Sequence, residues 1–458
     1  MNILYTSQYF PPEACAPAAR VDSFSRAWAR AGAEVTVLTG FPNHPEGVLH
    51  PAYRKLWRHG FAREQREGVN VYRTWLYPSA NRGLWGRGAN FASFALSAAL
   101  TGPFVAPENG VVIATSPQIL VGLSGFVMAS VRFRPWVFEV RDLWPESLIG
   151  VGQTTSDSLL YRSVEHIANF LYRHATHIVV DGEWKLRHLV SQGVDERRIS
   201  VIMNGIEDSF CFDPDSEEAC QARHELRKEL RLGEEFALLY AGTLGMAHGL
   251  GTLLHTAKGL RDHNDIVFLI MGAGAEREQI GQQVRDLRLP NLRLLEKVPR
   301  QRVPAFLAAA DACLIPLRNK EVFKTAIPSK LFEAMAAGRP AILGVEGEAK
   351  EILLNSRAGV AVRPEDPAAL SAAILRLKEE PSLCRALGRN GRQAVLQKYL
   401  RANQAAEYLN LLRELSAQWE REEQAVGSWG LAKSPNPNAH YSGPGAQNLN
   451  TDNQPLHL

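Results

Sequence analysis

Short apolar runs alternate with longer amphipathic patterns along most of this chain. Each run is apolar at consecutive positions, which is typical of strands buried on both faces of a parallel sheet. The runs fall into two series separated by an interruption, and this alternation predicts two successive doubly wound α/β domains. The predicted strands cover residues 2–7, 34–39, 69–77, 111–116, 136–142, 177–181, 199–203, 236–241, 266–271, 292–297, 312–316, 340–345 and 359–362.

The interruption lies at residues 204–215, where turn-forming and acidic residues replace the apolar runs, and we place the interdomain linker there. The first Rossmann-like domain is then predicted to span residues 1–205, and the second residues 206–397. An amphipathic pattern at 398–421 is too long for a loop and predicts a helix that crosses back over both domains. Residues 426–458 are rich in Gly, Pro, Asn and Ser, so we expect a disordered tail there.

The overall composition argues against several classes of protein. The 458 residues include 51 Lys and Arg against 48 Asp and Glu, a net charge of +3. This near-balance argues against a nucleic-acid binder that depends on phosphate contacts. The five cysteines are scattered without a Cys-x-x-Cys pair, which indicates free thiols in a reducing cytoplasm. The amino terminus lacks the features of a signal peptide, so secretion is not expected.

The most apolar long stretch, residues 89–106, contains Asn, Ser, Thr and an internal Pro, and it is short for a membrane span. We therefore expect a helix that does not cross a membrane. Arg82 and Arg87 lie just upstream, and this combination suits a helix resting on a membrane surface. A helix packed on its own sheet is the alternative.

Ligands of open parallel sheets bind outside the carboxyl ends of the strands, so two facing domains create one cleft. The strongest candidate for chemistry there is residues 325–340, which follow a predicted strand. Pro328 suits the first helical position and Gly338 the position after the last, which predicts a short helix. The helix N-terminus and Lys330 suit a diphosphate, and the Glu333 carboxylate can accept two ribose hydroxyls. A solvated helix face is the alternative for both side chains.

Several glycine-rich turns follow other strands of the second domain. Such turns let the backbone approach a phosphate or a sugar closely. A purely structural role is the alternative for each of them. The candidate donor-binding residues in these turns are Gly242, Thr243, Gly245, Gly272 and Gly274. Val298, before Pro299 and after the next strand, is a further candidate that can supply backbone contacts to a base edge, again with a structural turn as the alternative.

In the first domain, an unusually long loop at residues 8–17 connects the first strand to a helix. Arg20 on that helix can reach an anionic group in the cleft, with an exposed ion pair as the alternative. Asp142 ends a strand, where charged residues are expected at an active-site mouth, and a helix cap is its alternative role. We interpret His44 and His50 as turn residues. The candidate residues on this side of the cleft are Pro12, Arg20, Glu139, Arg141 and Asp142.

Patterns associated with other chemistry are discounted. Asp213-x-Asp215 resembles a metal-binding carboxylate pair, but it falls in the predicted linker and we interpret it as a solvated turn. The chain has no Gly-x-Ser-x-Gly, no phosphate-binding Gly-Lys-Ser/Thr loop and no His-Glu-x-x-His. This argues against the commonest hydrolases, nucleoside triphosphatases and metalloproteases.

Five stretches of the chain resemble the family 4 retaining glycosyltransferases. They are YFPPEACAPAAR, EVRDLWPES, MNGIE, YAGTLGMAHGLGTLL and IPSKLFEAMAAGRPAI, and the resemblance runs in unbroken order from residue 1 to about residue 412. The subgroup that they resemble builds bacterial surface polysaccharides such as O-antigen, capsule and colanic acid, and includes N-acetylfucosamine transferases. The resemblance implies a GT-B fold, with a UDP-sugar donor in the second domain and an acceptor in the first.

The resemblance also assigns roles to individual residues. Glu333 matches the second carboxylate of the family's Glu-x7-Glu motif, which holds the ribose, whereas Thr325 stands where the first Glu contacts the donor sugar. His248 stands where many relatives have a Lys or Arg for the diphosphate. Lys330, with Lys324 as a candidate helper, is then expected to take more of that task. The donor contacts predicted on the short helix are Ser329, Lys330, Leu331 and Glu333.

The implied mechanism is transfer with retention at the anomeric carbon and without a metal ion. Asp142, Lys330 and Glu333 are the predicted catalytic residues. The helix N-terminus stabilises charge on the leaving UDP, and a donor phosphate oxygen takes the acceptor's proton. Domain closure brings Asp142 and the 8–17 loop onto the sugar. No cofactor is expected, because the UDP-sugar is a substrate.

The implied acceptor is a polyprenyl-diphosphate-linked saccharide at the cytoplasmic face of the inner membrane, with residues 82–106 as the docking surface. An N-acetylated or 6-deoxy hexose is the candidate donor sugar. Three alternatives stay open. Thr325 suggests a UDP-sugar-binding subunit without catalytic activity, and the others are a nucleotide-sugar epimerase of the same fold and a soluble transferase acting on a small metabolite.

Overall fold

The computed structural model describes residues 1–13, 15–80, 84–150, 154 and 157–427. The prediction for Arg82 and the predicted tail from residue 428 onward lie outside these residues. The described chain forms two β-sheets, and successive residues of a strand enter different apolar clusters. Ile3 and Tyr5 enter one cluster, for example, whereas Leu4 enters another. Burial on both faces explains why the strands are apolar at consecutive positions.

The first sheet has eight strands in the order β3-β4-β2-β1-β5-β6-β7-β8. β3 pairs antiparallel with β4, and the other pairings of this sheet are parallel across the described residues. We did not predict β3, because its polar sequence FAREQR is typical of a solvated edge strand. The strands are β1 Asn2–Thr6, β2 Glu34–Gly40, β3 Phe61–Arg66, β4 Val69–Thr74, β5 Val111–Thr115, β6 Trp136–Val140, β7 His177–Val180 and β8 Ile199–Val201.

The second sheet has six parallel strands in the order β11-β10-β9-β12-β13-β14. The chain order reverses beside β9, so the loops after β9 and β12 meet at the carboxyl edge, where open sheets bind ligands. Each predicted strand of both series has a counterpart in the structure. The strands are β9 Phe236–Ala241, β10 Ile266–Met271, β11 Leu292–Leu295, β12 Ala312–Pro316, β13 Ala341–Gly344 and β14 Gly359–Ala361.

Helices connect the strands and cover the sheets. Sequence signals mark several of their starts: the Ser216 side chain, for example, accepts the Ala219 N–H at the beginning of α8. The helices are α1 Ala16–Arg30, α2 Arg54–Arg58, α3 Leu84–Val105, α4 Leu120–Arg132, α5 Glu146–Gly150, α6 Leu159–His174, α7 Glu183–Ser191, α8 Glu217–Glu229, α9 Gly251–Gly259, α10 Arg277–Asp286, α11 Val303–Ala309, α12 Ser329–Ala336, α13 Glu348–Asn355, α14 Pro367–Glu379, α15 Pro381–Ala394 and α16 Arg401–Gly427.

The chain crosses from one sheet to the other twice, and the two crossing segments lie side by side. Ile206 and Leu400 form a parallel bridge, and the Ile206 N–H donates to the Tyr399 carbonyl at 2.8 Å. Arg401 Nη1 donates to Glu207 Oε1 at 2.7 Å. The predicted linker is therefore tied to the start of α16, and these two segments form the hinge region of the molecule.

α16 crosses from the second sheet back to α1 of the first. The Trp28 indole donates to the Ala405 carbonyl at 2.8 Å, and the fully buried Tyr408 packs against Trp28 at 5.3 Å between ring centroids. The helix runs to Gly427, so residues 426 and 427, which we expected in the disordered tail, continue the helix. The reason is local, because the preceding Glu and Gln residues are good helix formers.

α3 contains the apolar stretch singled out in the sequence. Phe94 and Ala98 are fully buried, so one face of the helix packs on its own sheet. Leu96, Leu100 and Phe104 lie four residues apart and are 64%, 65% and 85% exposed. Packing on its own sheet thus accounts for one face of the helix, and the other face is exposed and apolar; contact with a membrane surface stays a prediction. The described residues include no helix that is both long and apolar enough to span a bilayer.

Candidate functional site

The N-terminus of α12 lies at the carboxyl edge of the second sheet. Pro328 is the N-cap residue, one position earlier than predicted, and α12 begins at Ser329 after the loop that follows β12. No side chain caps this helix. Its first N–H groups and its positive dipole end thus face the cleft without a carboxylate cap, which suits an anion.

Lys330 lies over a glycine and beside an aromatic ring. Its Nζ is 5.3 Å from the centroid of the Tyr240 ring. A Cβ on Gly242 would lie 2.1 Å from Lys330 Cε, so a larger residue there would displace this flexible side chain, and the φ of +156° independently favours glycine. Burial lowers the pKa of Lys330, although the charge of Glu333 opposes the shift. A partly desolvated ammonium of this kind gains strongly from an anionic ligand.

Glu333 lies about one turn further along α12 and is 8% exposed. Its Oε1 is 3.4 Å from Nη1 of Arg300. Burial raises the pKa of Glu333, against the lowering effects of Arg300 and Lys330. Arg300 is half exposed and also lies 3.7 Å from Glu207 of the hinge region, so it has a second partner if hydroxyls occupy Glu333. Neither Lys330 nor Glu333 lies on a solvated helix face, which was the alternative interpretation.

His248 brings no charge to this group at neutral pH. Its ring contacts Tyr240 edge to face at 5.9 Å between centroids. Burial and the nearby Lys330 charge lower the pKa of His248 to about 4. Lys324 donates to Glu321 Oε1 at 2.8 Å, so the suggested helper is engaged in a local ion pair. Lys330 is thus the predicted cation that the structure places beside Gly242.

Arg318 is a neighbouring cation that the sequence analysis missed. Its backbone N–H donates to the Ala247 carbonyl at 3.0 Å, which places it beside the loop that carries His248. Its buried Nε has no hydrogen-bond partner among the described residues. A signal was present in the sequence, because Arg318 follows β12 by two positions, at the edge where ligands bind.

The glycine turns of the second sheet serve mainly to bring two loops together. Gly272 has a φ of +155°, and a Cβ there would lie 1.8 Å from the Gly242 carbonyl oxygen. Gly274 is similarly tight against the loop after β9. Gly245 is different, because the nearest atom to its Cβ position is Thr243 Cγ2 at 3.6 Å. Gly272 and Gly274 are therefore required by packing against backbone atoms, whereas Gly245 is not.

The other predicted donor residues differ in exposure. Thr243 and Ser329 are exposed, and Val298 and Thr325 are partly buried. Leu331 requires a correction: its side chain is fully buried in the core, and its N–H already donates to the Pro328 carbonyl at 3.0 Å. Leu331 therefore supports α12 and is not a donor contact.

Arg20 and Glu139 form a buried network in the first sheet. Arg20 Nη2 donates to Glu139 Oε1 at 2.8 Å, and the Tyr5 hydroxyl donates to Oε2 at 2.7 Å. Arg20 also donates to the carbonyls of Ile202 and Met203 at 2.9 and 2.8 Å. Arg20 is 2% exposed and Glu139 is fully buried. Both interpretations of Arg20, a cleft ligand or an exposed ion pair, are therefore corrected, and Glu139 is likewise a structural residue.

Arg141 and Asp142 follow β6 and remain available to a ligand. Arg141 is 9% exposed, and its Nε and Nη1 are buried without a partner among the described residues. Asp142 is exposed, and it does not cap α5, which begins at Glu146. Desolvation by the surrounding protein raises the pKa of Asp142, while Lys185 opposes the shift. The structure thus brings a cation and a carboxyl together at the mouth predicted from the sequence.

The 8–17 loop is fixed by a buried carboxylate. Glu13 accepts the backbone N–H groups of Asn43 and His44, both at 2.9 Å. Pro12 is exposed in this loop. His44, which the sequence predicts to be a turn residue, has ring nitrogens that are buried without a partner among the described residues.

A group of buried amides beside this loop was missed. Gln8 Nε2 donates to Asn90 Oδ1 at 2.5 Å, and Asn90 Nδ2 donates to Asn43 Oδ1 at 3.2 Å. Gln8 Oε1 is buried without a partner in the described part of the chain. Amides that retain free hydrogen-bonding capacity suit sugar hydroxyls. The three residues are distant in sequence, so no local motif predicted that they would lie together.

The described residues contain no group of three or more His, Cys, Asp or Glu placed to hold a metal ion. Asp213 and Asp215, which we interpreted as a solvated turn, are both exposed. The Asp215 N–H donates to Asp213 Oδ1 at 3.1 Å, so the pair stabilises its own turn.

Two sequence families match the two sheets in turn. Residues 16–205 match the glycosyl transferase 4-like domain, and residues 222–394 match the glycosyl transferases group 1. The chain is a family 4 glycosyltransferase. The family and the enzyme class that the resemblance implied are thereby confirmed.

Curated relatives agree with this assignment. The chain is 27% identical over 288 residues to WbjE of Pseudomonas aeruginosa, named as a glycosyltransferase, covering 62% of this chain and 69% of that protein. It is 23% identical over 359 residues to WcaI of Escherichia coli K12, named for colanic acid biosynthesis, covering 75% of this chain and 84% of that protein. Both relatives match over more than two thirds of their own length.

Solved structures show the same fold. The crystal structure of Anabaena HepE in complex with UDP superposes with a TM-score of 0.65 at 15% identity, covering 90% of this chain and 100% of HepE. The family 4 glycosyltransferase described here therefore has the GT-B fold, as the resemblance implied.

Proposed function

We propose that this glycosyltransferase moves a sugar from a UDP-sugar to a polyprenyl-diphosphate-linked saccharide in the biosynthesis of a cell-surface polysaccharide. In this proposal the transfer retains the anomeric configuration and needs no metal ion, and the enzyme works at the cytoplasmic face of the inner membrane. The candidate donor sugar is an N-acetylated or 6-deoxy hexose. One observation carries the proposal above all: the partly desolvated Lys330 beside the uncapped N-terminus of α12, with the buried Glu333 behind it.

Binding of the donor would use three groups of α12. The diphosphate would lie on the helix N-terminus and Lys330, which replace the positive charge of a metal ion. The ribose hydroxyls would donate to the Glu333 carboxylate, with Arg300 retaining its contact to Glu207. HepE was solved with UDP, which supports a uridine nucleotide for a chain of this fold.

During transfer, negative charge grows on the phosphate oxygen that leaves the sugar. Lys330 and the aligned N–H groups of α12 are already in place when this charge appears, so they stabilise the transition state at little reorganisation cost. A phosphate oxygen of the donor would take the proton of the acceptor hydroxyl. Asp142 and Arg141 follow β6 of the first sheet, and closure of the two halves would bring Asp142 and the 8–17 loop onto the reacting sugar.

The acceptor side is supported by the outer face of α3 and α4. Leu96, Leu100 and Phe104 on α3 and Val131 on α4 are exposed apolar residues. Across both helices the charged residues are arginines, Arg87 and Arg132, with no Asp or Glu. An apolar face with cations and no carboxylate complements an anionic lipid surface. Docking there would place the cleft beside a lipid-linked acceptor.

The test is UDP release by purified protein from a panel of UDP-sugars, including acetamido and 6-deoxy sugars. Reactions would contain EDTA, with and without bacterial lipid extract. We expect release from one donor that depends on lipid extract and persists in EDTA. Release that requires a divalent ion would contradict metal independence, and release that is indifferent to lipid would favour a small-molecule acceptor.

Matched variants separate the site from the fold. Glu333→Gln should lower release by about tenfold or more, whereas Glu229→Gln should leave it unchanged, because Glu229 forms an exposed pair with Arg302 in the same half of the molecule. Phe104→Asp should lower sedimentation with phosphatidylglycerol vesicles and leave UDP binding unchanged. Donor binding with no UDP release under any condition, even with neighbouring pathway enzymes added, would favour the non-catalytic subunit.

A further inference from the structure

A carboxylate of the second sheet's half reaches across the cleft to a helix of the first. Glu348 Oε1 accepts the Glu183 backbone N–H at 2.6 Å, and Oε2 lies 3.3 Å from the Trp184 backbone N. Glu348 begins α13, and Glu183 begins α7. Glu348 is 2% exposed. One half of the molecule thus caps a helix of the other.

The helix that receives this carboxylate is built without a cap of its own. The N-cap of α7 is Gly182, which has no side chain to satisfy the first N–H groups. A Cβ on Gly182 would lie 2.4 Å from Glu348 Oε2 and 2.7 Å from Oε1. Gly182 has a φ of −173°, a conformation open to any residue, so a larger residue there would conflict only with the Glu348 side chain and would displace its carboxylate.

Glu348 also contacts the loop that leads to α12. The Glu348 backbone N–H donates to the Lys324 carbonyl at 3.0 Å, directly before Thr325. In the same first turn as Glu183, α7 carries Lys185, which pairs with Asp181 beside Asp142. Glu348 therefore links the loop that leads to α12 with the part of the first sheet that carries the Asp142 carboxyl.

We propose that Glu348 is a positioning residue that holds the two halves closed, so that the first sheet's cleft edge faces a sugar on α12. The inference rests on the proposed transfer reaction for its catalytic consequence, but the closed arrangement itself is independent of that reaction. The partner of Glu348 is a pair of backbone N–H groups, so the contact favours closure whatever side chains α7 carries.

The first test is amide hydrogen exchange, which reports the contact without any substrate. In Glu348→Ala, exchange at Glu183 and Trp184 should quicken about tenfold, because both caps are lost. Glu348→Gln keeps one acceptor and should quicken exchange at these two amides about threefold. Gly182→Ala should match Glu348→Ala, since its new Cβ displaces the carboxylate. Unchanged exchange in Glu348→Ala would overturn the proposal.

The second test is X-ray scattering of the free protein together with kinetics. The radius of gyration should rise in Glu348→Ala and Gly182→Ala, and kcat should fall about tenfold while the affinity for UDP alone stays within about twofold. Two controls should match wild type: Arg187→Ala, which removes an exposed pair with Glu351 between the same helices, and Gly259→Ala, whose Cβ would meet Ser371 Oγ at an ordinary contact distance of 4.0 Å.

The outcomes separate this inference from the proposed function. Faster exchange with wild-type scattering and kcat would mean that Glu348 merely caps α7, and positioning would be wrong. If wild type releases no UDP, the proposed transfer fails, while exchange and scattering still decide whether Glu348 closes the cleft. An equal effect of Arg187→Ala would assign closure to the whole helix contact and contradict a specific role of Glu348.

Discussion

The two halves of the cleft contain similar charged groups. Those of the first half have complete hydrogen-bond partners, whereas those of the second half do not. In the first half, Arg20 and Glu139 pair at 2.8 Å, and Tyr5 donates to the remaining carboxylate oxygen. In the second half, Lys330 has a lowered pKa because of burial, and Glu333 has only a long contact of 3.4 Å to Arg300. Glu139 lies near the end of β6, and the other three charged residues lie on α1 and α12, the helices that follow β1 and β12.

This difference separates the charged residues that stabilise the fold from those that are available to a ligand. A buried ion pair whose hydrogen bonds are complete has nothing left to offer a ligand, and it stabilises the fold. Buried charges with incomplete partners cost stability in the free protein and are compensated when a ligand binds. The sequence shows charge at a strand end, but only the structure shows whether its partners are complete.

The largest effect should come from breaking the complete pair. Glu139→Ala leaves the Arg20 charge buried without its partner, so we expect a loss of about 3–5 kcal/mol of unfolding free energy. Urea denaturation measures it. The control Glu229→Ala removes a half-exposed pair and should cost less than about 1 kcal/mol after solvent screening. A small loss in Glu139→Ala would mean that the network is not structural.

The pair also sets a pH dependence. Burial alone would raise the pKa of Glu139, but the Arg20 and Arg141 charges hold it below the ordinary value. A carboxyl with a lowered pKa in the fold contributes stability at neutral pH, and this contribution is lost as the pH falls through that pKa. Glu139→Gln should therefore be less stable than wild type at pH 7, with the difference shrinking in acid.

The second effect concerns Lys330. Lys330→Met should lower turnover of the UDP-sugar by about 100- to 1000-fold, because it removes a preorganised charge at the leaving group. Stability should not fall, since burial already disfavours the ammonium. Steady-state UDP release and thermal unfolding measure the two quantities. Lys378→Met, which removes a surface pair with Asp265, is the control. Comparable turnover in both variants would contradict a role of Lys330 in the proposed site.

The third effect concerns Glu333 and the ribose. Wild type should bind UDP about tenfold more tightly than 2′-deoxy-UDP, because a hydroxyl donates to a carboxylate. In Glu333→Gln this preference should shrink to about threefold or less. Burial raises the pKa of Glu333, so UDP affinity should weaken on acidification sooner than for an ordinary carboxyl, and Glu333→Gln should remove that dependence. A preserved preference in Glu333→Gln would place the ribose elsewhere.

The smallest effect should come from His248. Because its pKa is about 4, the ring is neutral between pH 6 and pH 9 and adds no charge to the proposed diphosphate site. His248→Gln should change turnover by less than about threefold in that range. A tenfold loss, or a turnover profile in wild type that follows a group near pH 6.5 and disappears in the variant, would contradict this account.

Much of the fold was predictable because its signals are local and repeated. The apolar runs predicted each strand except β3, whose edge position leaves it polar. Lys330 and Glu333 were predictable for a similar reason, since the helix that carries them has its own start and stop signals. The family resemblance supplied the GT-B fold and the enzyme class, which physical patterns alone did not specify.

The remainder depended on contacts between distant residues. Arg20 and Glu139 are 119 positions apart, and no local pattern shows that they pair. Leu331 lies between two site residues, but helix geometry turns its side chain into the core. Glu348 reaches Glu183 over 165 positions and between the two halves. Arg318 could have been predicted, because it follows β12 by two positions and ligands bind beyond strand ends.

The central claim is that α12 binds the diphosphate through Lys330. The most direct measurement is calorimetric titration of wild type and Lys330→Met with UDP and with uridine, in EDTA. The account predicts that wild type prefers UDP by at least about 100-fold and that Lys330→Met loses most of this preference while its affinity for uridine stays the same. An equal preference for UDP in both proteins would contradict the claim.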